Sequence, residues 1–207
     1  MISRVKICGL REVETAVETA CLGADAIGLV FYAPSPRAVD IETAGRIVRA
    51  LPPFVSAVGL FVDADPGFVR QVLDSVSLDL LQFHGEESPA YCRQFNRPYL
   101  KAVRVKPGLN LLEYAARYPD TRGLLVDAWV SNAPGGTGET FDWALLPPEL
   151  PLPLILSGGL NPGNVAGAIQ RTHPWAVDVS SGVESGRGIK DVAKIAAFVE
   201  AVRSAAD

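Results

Sequence analysis

A small set of side chains in this chain stands where apolar runs stop. These are Cys8, Arg37, Asp63, His84, Arg104, Asp127, Ser157, Asp178 and Ser180. A thiol such as Cys8 and a carboxylate such as Asp127, facing each other across a shared mouth, suit a pair that shuttles protons, one as base and one as acid. No Ser-His-Asp order is apparent, and with only His84 and His173 present, histidine is too scarce for a His-rich metal site. A second kind of chemistry is written late in the chain. Pro153-Leu-Ile-Leu-Ser-Gly-Gly-Leu-Asn-Pro162 and Val177-Asp-Val-Ser-Ser-Gly-Val-Glu184 are each a short apolar run that ends on small polar residues and glycine. Gly158 and Gly159 let backbone pass close to a ligand. Ser180, Ser181 and Gly182 repeat the device one strand later. Adjacent backbone amides beside helix starts make an anion site, most naturally for phosphate. Asn161-Pro162 predicts the start of the following helix, with Asn as N-cap and Pro at its first position.

Each residue also has a plainer role open to it. Cys8 alone reads as an inert core thiol, because free cysteine is among the most buried types. Lys6, two residues earlier on the same strand face, could lower its pKa. Asp63, Asp127 and Asp178 could simply cap loops. Arg37 could be a solvated charge and His84 a satisfied turn residue. The glycines could only make tight turns. Cys21 and Cys92 fall in predicted helices and read as packing residues. Taken one residue at a time, the sequence supports a phosphate-binding barrel enzyme and no more.

The elements that would position these residues alternate with a regular beat. Strand-like runs are predicted at Arg4–Cys8, Ala26–Phe31, Phe54–Val62, Asp79–Phe83, Tyr99–Val103, Gly123–Asp127, Pro153–Leu156 and from Val177. Helical spacing lies between them, at Glu12–Leu22, Ile41–Leu51, from Pro66, from Ser88-Pro89 and at Leu109–Arg117. A short piece follows at Trp143–Leu146, and a closing helix is predicted over Ile189–Ala206. Eight strands alternating with helices predict a parallel sheet with right-handed crossovers. The fold class is therefore α/β, a single (β/α)₈ TIM barrel over residues 1–207, with its active site at the C-terminal ends of the strands. A doubly wound open sheet is the alternative, but its glycine fingerprint should follow the first strand. Here the glycines follow strands six, seven and eight.

Composition narrows the class further. The chain has 207 residues, is 48% hydrophobic and carries a formal charge of -4 with no basic block, so nucleic acid is not an expected partner. No apolar run is long enough to span a bilayer. The first residues lack a signal-peptide layout, which points to the cytoplasm. The three cysteines are odd in number and lack ligand spacing, so neither a disulfide framework nor a metal site is indicated.

Together the strand-end segments resemble the phosphoribosylanthranilate isomerase family of tryptophan biosynthesis. The segments are Lys6-Ile-Cys-Gly9, Ser35-Pro-Arg37, Gly59-Leu-Phe-Val-Asp63, Leu81-Gln-Phe-His-Gly85, Val126-Asp127, Gly135-Gly-Thr-Gly138, Leu156-Ser-Gly-Gly-Leu-Asn161 and Val177–Glu184. They run in family order over nearly the whole chain, with Phe83 standing where leucine is expected. The resemblance implies an Amadori rearrangement of N-(5-phosphoribosyl)anthranilate, with Asp127 as general acid and Cys8 as general base. It implies that Arg37 holds the anthranilate carboxylate, that His84 lines the pocket, and that Gly158, Gly159, Asp178, Ser180, Ser181 and Gly182 belong to the substrate site. It implies no cofactor. The partner it implies is a small phosphorylated substrate, and both monomer and homodimer are open. Gly135–Gly138 reads as a lid beside Asp127. An isomerase of another aminoaldose and a silent phosphate-binding protein are the competing readings. A single glycine-rich pair argues for one phosphate, and the presence of both Cys8 and Asp127 argues against a silent barrel.

Overall fold

The computed structural model describes residues 3–106, 108–128, 143–147 and 149–205. Eight parallel strands form a closed barrel in chain order. They are β1 (Arg4–Cys8), β2 (Ala26–Val30), β3 (Ser56–Phe61), β4 (Leu80–Phe83), β5 (Tyr99–Val105), β6 (Leu124–Ala128), β7 (Leu154–Leu156) and β8 (Ala176–Val179). Closure is made by β1 on β8, in register from Arg4 opposite Ala176 to Ile7 opposite Val179. The surrounding helices are α1 (Val13–Cys21), α2 (Ile41–Ala50), α3 (Pro66–Ser75), α4 (Pro89–Arg93), α5 (Leu111–Arg117), α6 (Val165–Thr172) and α7 (Val192–Ser204). Among the described residues no helix is long and apolar enough to cross a membrane.

Strand alternation decides which side chains reach the barrel interior. Val5, Ile7, Ile27, Leu29, Leu81 and Phe83 pack into the large core shared with the helices. The alternate positions turn inward and stack in layers. Leu100, Ala102, Leu125, Ile155 and Ala176 make a small apolar floor. Above it Lys6, Gln82 and Asp178 are buried as polar groups. Cys8, Val30 and Leu60 come above these, nearer the mouth. A polar layer between two apolar ones requires internal pairing, because a lone buried charge is very costly.

Helix starts follow local chemistry. Asp40, Asp65, Ser88, Asn110 and Asp191 each cap a helix by accepting backbone N–H bonds, with Pro66 and Pro89 in the first turn of α3 and α4. Four expectations from the sequence are corrected. Asn161 does not cap α6. Its Oδ1 accepts from Gly163 N at 2.8 Å, while its own N–H donates to Asn164 Oδ1 at 2.8 Å. That local turn competes with helix, so α6 starts three residues later than Pro162 suggests. The closing helix begins at Val192, because Ile189–Lys190 pairs antiparallel with Glu184–Gly186 as a hairpin, β9–β10. β3 begins at Ser56, because Phe54 takes a φ of 72° and is fully exposed. Cys21 is exposed rather than packed, whereas Cys92 is buried as expected. The Gly135–Gly138 segment lies outside the described residues.

Candidate active site

A cavity of about 530 Å³ opens at the C-terminal ends of the strands. Cys8, Arg37, His84, Asp127, Gly158, Gly159, Asp178, Ser180 and Ser181 all border it, as do Arg104 and Ser157. Gly182 stands just behind. A Cβ there would lie 1.9 Å from the Leu160 carbonyl oxygen, so glycine is what lets the loops after β7 and β8 touch. Gly158 and Gly159 take φ values of 82° and 66°. Two successive left-handed residues are readily made only by glycine, and they fold the chain into a tight turn at the cavity edge. Asp63 does not join the site. Its φ is 45°, and its Oδ1 accepts from Glu86 N at 2.7 Å, tying the loop after β3 to the loop after β4.

The side around β1 and β8 is charged and closed. Cys8 is 4% exposed, and its carbonyl accepts from Ser180 Oγ at 2.9 Å. Its sulfur occupies space left by Gly28 on the adjacent strand, where a Cβ would stand 2.6 Å from Sγ. Burial raises the thiol pKa above its ordinary value, while the Lys6 and Lys190 ammonium groups pull it back. Lys6 Nζ lies 2.6 Å from Asp178 Oδ1. Burial acts against the lysine charge, but Asp178 and then Cys8 outweigh it and hold the Lys6 pKa above normal. Asp178 Oδ2 accepts from Ser157 Oγ at 3.1 Å. Asp178 is therefore engaged on both oxygens beneath the thiol.

The side around β4 and β6 is built from a chain of neighbours. Asp127 Oδ2 lies 3.2 Å from His84 Nε2, and His84 Nδ1 lies 3.0 Å from Gln82 Nε2. If the Gln82 amide donates to Nδ1, Nε2 carries the proton and donates to the Asp127 carboxylate; a flipped amide gives the other tautomer. The loop carrying His84 is fastened from behind. Lys101, fully buried, donates to the carbonyls of Phe83 and Gly85 at 3.2 and 2.7 Å and to Glu87 Oε2 at 3.1 Å.

Sequence reasoning did not assign a role to Glu184 or Lys190. Arg37 Nε and Nη2 donate to the two oxygens of Glu184 at 2.6 and 2.9 Å. Lys190 Nζ donates to Glu184 Oε1 at 2.8 Å. Burial works against the Glu184 charge, yet Arg37 and Lys190 hold its pKa down at about 2. Glu184 closed the second glycine-bearing motif and was in plain view, whereas reading Ile189 onward as helix hid Lys190. Among the described residues no group of three or more His, Cys, Asp and Glu is arranged to hold a metal ion.

The family model described as N-(5'phosphoribosyl)anthranilate (PRA) isomerase matches residues 5–201. The chain belongs to this family. A relative from Pseudomonas aeruginosa (strain LESB58), named N-(5'-phosphoribosyl)anthranilate isomerase, is 58% identical over 97% of this chain and 95% of its own. The crystal structure of phosphoribosyl anthranilate isomerase from Thermotoga maritima superposes with a TM-score of 0.88 at 41% identity, covering 98% of this chain and 100% of that one. A crystal structure of the isomerase in complex with reduced 1-(o-carboxyphenylamino)-1-deoxyribulose 5-phosphate superposes with a TM-score of 0.82 at 38% identity, covering 98% and 100% of the two chains.

Proposed function

We propose that this chain is an N-(5'-phosphoribosyl)anthranilate isomerase, carrying out an Amadori rearrangement in L-tryptophan biosynthesis. The product is 1-(2-carboxyphenylamino)-1-deoxyribulose 5-phosphate. The observation that carries this reading is that one cavity holds Cys8, Asp127, Arg37 and the glycine loops after β7 and β8 together.

Asp127, as general acid, protonates the furanose ring oxygen. The C1–O bond breaks, and the anthranilate nitrogen lone pair forms the C=N bond of a protonated Schiff base. Cys8, as thiolate, removes the C2 proton to give an enolamine, which tautomerises to the C2 ketone. Hydrogen moves from C2 to C1 with no net oxidation of the substrate, so the reaction calls for acid and base and needs no redox cofactor. Each proton handler typically contributes about 10² to 10⁴-fold. The Lys6 and Lys190 cations offset part of the burial penalty on the thiolate that the base step needs. The Arg37 guanidinium suits the anthranilate carboxylate, His84 orients Asp127, and the loops at Gly158-Gly159 and Ser181-Gly182 hold the phosphate. Asp178 supports Lys6 beneath the base, and Ser180 steadies the Cys8 backbone. The whole chain acts as one barrel domain in the cytoplasm on a small phosphorylated substrate.

The test follows the fluorescence decay of freshly generated phosphoribosylanthranilate with wild type and Cys8→Ala side by side. Fast decay that disappears in the variant supports the reaction and the base together. An inactive wild type would overturn the substrate assignment, and a fully active variant would overturn the base.

A further inference from the structure

The hairpin β9–β10 lies over the loop that carries Arg37, and its contacts are more specific than a covering strand requires. Glu184, at the start of β9, has a carboxylate that accepts four hydrogen bonds. They come from Arg37 Nε and Nη2 at 2.6 and 2.9 Å, from Lys190 Nζ at 2.8 Å and from Gly188 N at 3.0 Å. The Arg37 and Glu184 side chains are 12% and 5% exposed, and that of Lys190 is 3% exposed. Lys190 extends the chain of contacts by donating to Ser180 O and Oγ at 2.9 and 3.2 Å. Ser180 Oγ in turn donates to the Cys8 carbonyl at 2.9 Å. The hairpin turn also presses on the Arg37 loop through backbone. Gly188 has a φ of 80°, and a Cβ there would stand 2.6 Å from the Pro36 carbonyl oxygen.

We propose that Glu184 is a positioning residue, and that the β9–β10 hairpin is a clasp presenting Arg37 to the substrate carboxylate. The inference rests on the carboxylate role of Arg37 given above. A guanidinium has five N–H donors in a rigid fork. Glu184 takes one on Nε and one on Nη2, leaving both on Nη1 and the second on Nη2. One N–H on Nη1 and the remaining one on Nη2 run parallel on the end-on edge, which can meet a carboxylate as a two-pronged fork, because Glu184 already fills the side-on edge. An arginine free to rotate would lose that orientation on every rotamer change. Because Lys190 ties the same carboxylate to Ser180, the clasp also fixes the distance from the carboxylate grip to the loop after β8. The two ends of an elongated phosphorylated substrate are thereby held on one frame. Glu184 also separates two cations that would otherwise face each other with little water between them.

The test uses the full chain and two probes: reduced 1-(o-carboxyphenylamino)-1-deoxyribulose 5-phosphate and the same compound lacking the ring carboxylate. Affinities are measured by titration calorimetry for wild type, Glu184→Gln and Gly188→Ala, with KM and kcat in parallel. Wild type should prefer the carboxylated probe. Glu184→Gln should weaken that probe by about 10 to 100-fold, the scale of a misdirected charge-assisted pair, and the other probe by less than about threefold. KM should rise more than kcat falls. Gly188→Ala keeps the carboxylate but lifts the turn off Pro36, so it should show the same selective loss to a smaller extent, and it gives an answer even if Glu184→Gln does not fold. Equal weakening of both probes in the variants, or no weakening, overturns the clasp while leaving the isomerase reading intact. A wild type that binds both probes alike overturns the Arg37 assignment itself.

Discussion

The two walls of the cavity solve opposite problems. On the β1 and β8 wall, charge is abundant and answered: Lys6 with Asp178, both buried, and Arg37 and Lys190 with Glu184, largely buried. On the β4 and β6 wall, Asp127 faces an imidazole backed by an amide. That wall also leaves atoms unanswered. Gln82 Oε1 and Arg104 Nε are buried without a hydrogen-bond partner among the described residues. A thiol that must become an anion needs fixed cations near it, and those cations need fixed anions of their own. The difference shows that the two walls give the thiol and the carboxylate unlike surroundings.

The comparison can be broken most severely at the proton handlers. Asp127→Asn should cut kcat by roughly 10² to 10⁴-fold, with affinity for the reduced product analogue within a few-fold of wild type. A near-normal turnover number would remove Asp127 from its role. Next in size is the charged wall. Lys6→Met leaves Asp178 buried and unpaired, which should cost about 3–5 kcal/mol in urea unfolding. Lys6→Met combined with Asp178→Leu should regain most of that stability without regaining activity. If activity returned with stability, Lys6 would matter only as packing.

A pH titration of stability sharpens the same contrast. The folded pKa of Glu184 is about 2, below its ordinary 4.5. Its contribution is therefore fully present above pH 4.5 and is lost as pH falls from there toward 2. The shift corresponds to about 3 kcal/mol. Urea midpoints should drop over that window in wild type, and Glu184→Gln should flatten the drop. An unchanged acid limb in the variant would mean other carboxylates carry it. The smallest effect is expected at His84. His84→Gln should lower kcat by roughly 10-fold, the scale of one hydrogen bond to a charged group. A loss as deep as that of Asp127→Asn would make His84 a proton donor in its own right.

The barrel was legible in the sequence because its signal is local and repeated: eight apolar runs, each stopped by small or charged residues, with helical spacing between. The site was legible because strand ends and the barrel mouth coincide, so alternation alone brings Cys8, His84, Asp127, Ser157 and Asp178 to one cavity. What escaped depends on contacts distant in sequence or on very short elements. The Arg37–Glu184 pair spans 147 positions, and nothing in either neighbourhood announces the other. A two-residue strand such as Ile189–Lys190 carries too little periodicity to compete with the helical pattern that follows it. Asn161-Pro162 has the composition of a helix start, but the local hydrogen bonds of Asn161 with Gly163 and Asn164 close a turn there instead.

Gly28 has a consequence for anyone wishing to move this chemistry elsewhere. The sulfur of Cys8 occupies the space a side chain on the next strand would fill, and a methyl there would also stand 3.0 Å from the Cys8 Cα. Grafting the cysteine alone into another eight-stranded scaffold would place the sulfur against an occupied neighbour and tilt it away from the mouth. The transferable unit is the cysteine with its empty counterpart, one residue supplying the sulfur and the other supplying the room.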